Sequence, residues 1–231
     1  MSLYLGLDSS TQSLTAIVLE AGSQSAHVVF EGSLSFDVDL PAYGTRHGVL
    51  TGADAGVAVS SPLLWADALD LMLARVAASG LDLTQLAAIA GSAQQHGSVY
   101  LNASATSSLA RLDSRHTPAG QLRESLSRAV SPIWMDSSTS RECAEITAAV
   151  GGPESMAAHT GSRAFERFTG PQIRKFFKQD PHAYGATDRI HLVSSFLASL
   201  LAGRHATIEP GDGSGMLRRS PISRLISAAC W

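Results

Sequence analysis

Leu3-Tyr4-Leu5-Gly6-Leu7-Asp8-Ser9-Ser10-Thr11-Gln12-Ser13-Leu14-Thr15-Ala16-Ile17-Val18-Leu19-Glu20 is the stretch on which the fold of this chain turns. An apolar run ends at one carboxylate, crosses a short turn of hydroxyl and amide side chains, and returns as a second apolar run. Such runs, bounded by small polar residues, read as the two strands of a β-hairpin. Ser9, Ser10, Thr11 and Gln12 put side-chain donors at the tip. Their backbone N–H groups lie outside the strand ladder and can form an anion-binding concavity. Asp8, at the strand end, can hold Mg²⁺ through water, the usual arrangement when phosphates supply other ligands. A plain hairpin with a polar tip and a surface Asp accounts for the same residues.

Working outward, His27 to Phe36 reads as a third strand that completes a meander. Ala42 to Ser60, rich in Gly and Asp, shows no periodicity and reads as a long loop. Ser61-Pro62 then opens a helix, with Ser as N-cap and Pro at the first helical position, and Gly80 closes it. Leu86 to Gly91 is an apolar run that reads as a buried strand. It leads into Gln94-Gln95-His96 and a further strand, Ser98 to Asn102. A polar cluster at one strand end is where open α/β sheets bind ligands, although a solvated or core-bonded His96 is the simpler account of that residue.

Ala103 to Ser131 reads as an excursion with a weak helical pattern and no assigned chemistry. Pro132 to Met135 reads as a short strand, followed by Asp136-Ser137-Ser138 capping a helix. Arg163, Glu166 and Arg167 surround two phenylalanines ahead of a helix from about Pro171 to Gln179. An arginine there can grip a carboxylate or sugar hydroxyls through its planar fork, or simply join a surface charge cluster. Leu192 to Leu201 is a buried helix stopped by Gly203. Ala206 to Glu209 reads as a short strand, and Pro210 to Met216 as a glycine-rich turn.

The chain has 231 residues, of which 45% are hydrophobic and 16% charged, so it can bury a substantial core. Its formal net charge of −3 offers no basic field for nucleic acid or an anionic membrane. No apolar run reaches membrane-spanning length, and no signal peptide is apparent. Cys143 and Cys230 lie far apart and form no metal-ligand cluster, and Cys143 reads as a reduced helix residue. The cytoplasm is the expected compartment.

Several stretches together resemble the FGGY carbohydrate kinases, and within them the eukaryotic-type xylulose kinases. They are Asp8-Ser9-Ser10-Thr11-Gln12, Ser61-Pro62, the run from Gly91 to Ser98, Trp134-Met135-Asp136-Ser137-Ser138-Thr139, Thr160 to Gly170, Leu192 to Phe196, and Asp212-Gly213-Ser214-Gly215-Met216. They follow the family's order and spacing from residue 3 to residue 216.

The resemblance implies an α/β fold, an actin-like, ribonuclease-H-like domain with a mixed five-stranded sheet flanked by helices. It also implies a division into residues 1–216, the family's N-terminal domain, and a non-matching tail, residues 217–231, suggesting a truncated or shifted reading frame. The second lobe is expected to be absent. By the same resemblance, His96 and Arg167 hold the sugar, D-xylulose, and Gln95 and Trp134 line the same pocket. Asp8, Ser10, Thr11 and Gln12 face the transferred phosphate, with Asp8 holding Mg²⁺ through water. ATP and Mg²⁺ are the implied cofactors.

The family's catalytic base is the Asp of a Gly-Asp-Asn motif, which this sequence does not contain. Asp212 matches a different motif and is not assigned that role. The glycine-rich adenosine-binding motifs are missing too. The reading is therefore the sugar-binding half of a xylulose kinase, inactive alone. The alternatives are a non-catalytic pentulose-binding or interaction module, and another kinase of the family such as a glycerol or gluconate kinase.

Overall fold

The computed structural model describes residues 1–51 and 54–217. The expected tail therefore lies outside the described residues except for Leu217, and so does Cys230.

The opening hairpin forms as expected. Strand β1 (Ser2–Ser9) pairs antiparallel with β2 (Ser13–Ala21), which pairs antiparallel with β3 (Ala26–Ser35). Alternation decides what each strand buries. Leu3 and Leu5 of β1 and Leu14, Ala16 and Val18 of β2 turn to one face and are buried. Tyr4 and Ile17 turn to the other face and stay exposed.

Helix α1 (Pro62–Ala77) covers the buried face. Its start is the one expected: the Ser61 side chain accepts from the Leu63 N–H, with Pro62 at the first position. Leu64, Trp65, Ala68 and Met72 pack it into the core.

Strand β4 (Leu86–Ala93) joins β1 in parallel, giving a mixed sheet in the order β3-β2-β1-β4. The described residues thus supply four strands to this sheet where the resemblance implies five. One consequence corrects the reading of Leu86 to Gly91 as a buried strand. Residues 87–92 are exposed, and among the described residues β4 has a hydrogen-bonded neighbour on one side only. An apolar run marks a strand, but only a neighbour buries it.

Beyond β4 lies a two-stranded ribbon of β5 (Ser98–Asn102) and β6 (Thr187–Leu192). A second core forms against this ribbon. Tyr100 and Leu192 meet Ile146 from helix α2 (Ser140–Ala149) and Ile173 and Phe176 from helix α3 (Thr169–Gln179). Cys143 is a buried free thiol in α2, and burial pushes its pKa up to about 11. Helix α4 (Val193–Ala202) returns to the first core through Phe196 and ends at Gly203, where φ is +63°.

Four segments differ from expectation. The loop 42–60 contains short pairings, Thr45–Arg46 with Val49–Leu50 and Val59–Ser60 with Ser131–Pro132. The expected strand Pro132 to Met135 stops at Pro132, since Asp136 N–H turns back onto the Ile133 carbonyl at 2.9 Å. Ala206 to Glu209 forms no strand, and the glycine-rich turn is a 3-10 helix, Asp212–Met216.

Candidate active site

The C-terminal ends of β1 and β4 lie side by side, with Asp8 in register with Ser92 and Ser9 with Ala93. The chain leaves β4 under continued control, because Gln94 N–H donates to the Ser9 carbonyl at 2.8 Å. Above these ends is an open cleft of about 490 Å³, lined by Asp8, Ser10, Thr11, Ala93, Gln94, Gln95, His96, Trp134 and Arg167. Residues up to 159 positions apart in sequence, from Asp8 to Arg167, meet there. Gln12 is exposed and is not on the lining.

The hairpin tip is closed internally. The Ser10 hydroxyl accepts from Ser13 N–H at 3.1 Å and Gln12 N–H at 3.3 Å, and donates to the Ser13 carbonyl at 3.2 Å. Ser10 N–H also bonds the Ser13 carbonyl, at 2.9 Å. This corrects the picture of a tip with several free amides. The N–H groups of residues 10, 12 and 13 are spent on the turn, and Ser10 and Thr11 are its residues on the cleft lining.

Asp8 is exposed, and its Oδ1 accepts from the Ser92 hydroxyl at 2.5 Å. Among the described residues no group of three or more His, Cys, Asp or Glu side chains could hold a metal ion. A lone exposed carboxylate suits Mg²⁺ held through water beside phosphate, and it does not suit an all-protein metal site.

His96 is held from several directions. Its φ is +66°, a left-handed conformation uncommon for non-glycine residues, although histidine adopts it more readily than most. The Thr169 hydroxyl, at the start of α3, donates to its carbonyl at 3.1 Å. Its ring lies 4.8 Å from that of Phe168, which lies 5.1 Å from Phe165. Arg163 and Arg167 stack on Phe165, at 4.2 and 5.2 Å. The arginine motif and the histidine motif therefore meet through two phenyl rings. Burial lowers the His96 pKa and the Arg167 guanidinium lowers it further, while the Asp212 carboxylate opposes them. The lowered pKa favours the neutral imidazole, a hydrogen-bonding group suited to an uncharged polyol.

Trp134, 45% exposed, reaches the hairpin tip by donating from Nε1 to Thr11 Oγ1 at 2.8 Å. Its anchor is Asp136, which is not the helix cap the sequence suggests. Helix α2 begins at Ser140, and the buried Asp136 carboxylate instead accepts from Ala58 N–H and Ser138 N–H, both at 3.0 Å, and from Gln172 Nε2 at 2.7 Å. Burial alone would raise its pKa, but the bonds from the Ser138 hydroxyl and amide, Gln172 and Ala58 hold it below the ordinary value.

Four supporting residues were given no role by sequence reasoning. Gly48, in the unpatterned loop, has φ +74°, and a Cβ there would lie 1.9 Å from the Thr11 carbonyl oxygen. The Asp37 carboxylate seats that loop by accepting from Thr45 Oγ1, His47 N–H and Gly48 N–H. Gln94, beside two residues singled out in sequence, is buried with both amide atoms lacking a hydrogen-bond partner. Phe168 became visible only as the ring against His96.

No protein-family model matches the chain. The fold is shared with solved carbohydrate kinases: that of xylulose kinase from Rhodospirillum rubrum aligns with a TM-score of 0.73 at 18% identity, over 97% of this chain and 40% of that one. Glycerol kinase from Plasmodium falciparum aligns with a TM-score of 0.62 at 12% identity, over 94% of this chain and 37% of that one. The fold is thus that of the matching part of these sugar kinases. In sequence the chain is similar to part of the xylulose kinases. It is 44% identical over 226 residues to xylulose kinase of Rattus norvegicus, covering 98% of this chain and 42% of that protein. It is 46% identical over 216 residues to xylulose kinase 2 of Arabidopsis thaliana, covering 93% and 38%. The chain spans about two fifths of the length of the curated relatives it matches.

Proposed function

We propose that this chain is the sugar-binding half of a xylulose kinase-type enzyme, which phosphorylates D-xylulose to D-xylulose 5-phosphate with ATP. The observation that carries this reading is the single cleft holding Asp8, Thr11, Gln95, His96, Trp134 and Arg167 at the ends of two parallel strands. His96 and Arg167 bind and orient the ketose, with Gln95 and the Trp134 ring flanking it. Asp8, Ser10 and Thr11 face the phosphate side, and Gln12 is the weakest member of that set because it lies off the lining.

ATP supplies the phosphoryl group in such an enzyme, and Mg²⁺ offsets charge on its oxygens. Asp8 is the residue of this chain that would hold Mg²⁺, through water. What these residues contribute is positioning, the main protein contribution to phosphoryl transfer. A carboxylate base and an adenosine site would come from a second domain beyond residue 216, acting in the cytoplasm. The domain assignment of residues 1–216 and the separate tail belong to this proposal.

The test is calorimetry of the purified chain with D-xylulose, alongside a coupled ATPase assay. Saturable binding, weakened by His96→Ala and by Arg167→Ala, without turnover, is the expected result. Turnover by the chain alone would show that base and nucleotide site are both present here. The second reading, an interaction module, is favoured by one observation: β4 offers a bare apolar edge. Xylulose-independent association with unchanged affinity in the His96 variant would select it.

A further inference from the structure

The motif Asp212-Gly213-Ser214-Gly215 has no role in the function above, yet it folds as a tight turn directly against the sugar site. A Cβ built on Gly215 would fall 2.5 Å from His96 Nδ1 and 2.7 Å from Cε1, closer than packed atoms approach. The Nδ1 edge of the imidazole is buried there, without a hydrogen-bond partner. Phe168 closes the ring from another side, at 4.8 Å. Asp212 is held by the Ser194 hydroxyl at the start of α4 and keeps a second buried oxygen, Oδ1, without a partner.

We propose that the 212–215 turn is the positioning element for His96. The missing side chain of Gly215 admits the Nδ1 edge of the ring and leaves Nε2 as the atom available to hydrogen-bond toward the cleft. The proposal rests on the sugar-binding reading for the use of Nε2, but the placement of the ring stands independently. Gly215 has no positive φ, so an alanine there is not barred by backbone conformation. The atoms it would strike belong to a side chain rather than to backbone, so the imidazole is the group that must shift. Arg167 and Asp212 are the charged groups acting on the ring, with opposite sign.

The experiment is NMR titration of the His96 ring, assigned by its loss in His96→Ala, together with calorimetry using D-xylulose. Gly215→Ala is expected to shift the ring resonances and titration midpoint, and to weaken binding roughly tenfold or more, since small misplacements cost that much. The double variant His96→Ala/Gly215→Ala is expected to bind no worse than His96→Ala. Asp212→Asn, which keeps an oxygen for Ser194, is expected to lower the His96 midpoint by removing a nearby negative charge. Ser23→Ala, at an exposed bend off the cleft lining, serves as the unchanged control.

His96 resonances and midpoint unaltered in Gly215→Ala would overturn the proposal. Should that variant not fold, an unaltered midpoint in Asp212→Asn would do so. Shifted resonances in a chain that never binds xylulose would leave this inference standing and remove the proposed function. Binding with unshifted resonances would do the reverse.

Discussion

The indole N–H of Trp134 donates to the hydroxyl of Thr11 at 2.8 Å, joining residues 123 positions apart across the mouth of the cleft. The bond ties the segment pinned by Asp136 to the tip of the first hairpin. It makes the Trp134 side and the hairpin-tip side of the cleft a single unit.

Trp134→Phe keeps the ring and removes this donor. Because the residue is half exposed, stability is expected to fall by about 1 kcal/mol or less. Xylulose binding should weaken more than stability does. Thr11→Val should cause a similar loss, and the double variant little more than either single one. Urea denaturation and calorimetry on all three chains measure both quantities.

Gly48→Ala tests the hidden support of the hairpin. A Cβ added there would lie 1.9 Å from the Thr11 carbonyl oxygen, a backbone atom that cannot swing aside, and φ of +74° disfavours any Cβ. A loss of roughly 1–3 kcal/mol is expected from the strained conformation. Gly80→Ala is the comparison, since it shares a positive φ of +81° but has nothing within 4 Å. It should cost less, and only Gly48→Ala should weaken xylulose binding.

Asp136→Ala removes the acceptor for Ala58, Ser138 and Gln172. Hydrogen bonds to a charged group contribute roughly 1.5–3 kcal/mol, so a loss on that order is expected in denaturant melts. The folded-state pKa of Asp136 is lowered. Its contribution is therefore present above the unfolded carboxylate value and lost as pH falls through the folded one. The variant should lose less stability on acidification than the parent.

His191 gives a pH dependence of a different origin. It is buried, with Nδ1 3.1 Å from the Ser195 hydroxyl and Nε2 2.9 Å from His205 Nδ1. Burial lowers its pKa to about 4, with His205 and Arg189 adding to the shift. The unfolded chain takes up this proton near the ordinary value of about 6.5, before the folded chain does. Stability should therefore fall between about pH 6.5 and pH 4, by roughly 1.4 kcal/mol for each unit of the shift. His191→Gln should flatten that part of a stability–pH profile.

Ile89→Lys probes the bare edge of β4. Residues 86–93 carry no charge and no proline, and uncharged apolar edges invite strand pairing with other chains. Ile89 is 40% exposed beside an apolar groove formed with Leu7, Leu197 and Leu201. The parent chain is expected to self-associate at higher concentration in sedimentation velocity, and the lysine variant to do so less, with an unchanged melt.

The sequence by itself determined the elements whose causes are local. Alternation with a polar turn makes β1 and β2, Ser61-Pro62 starts α1, and Gly203 stops α4, because neighbouring residues alone decide those conformations. It also carried the motifs around His96 and Arg167, since residue identity survives without coordinates. Only the tertiary structure decided what each of these touches. The apolar run of β4 became an exposed edge for want of a neighbour, and Asp136 became a buried junction because Ala58 and Gln172 arrive from distant segments. Gly48 and Gly215 acquired their importance from the Thr11 carbonyl and the His96 ring. A missing side chain has no pattern of its own, and its meaning is set by whatever the fold brings against it.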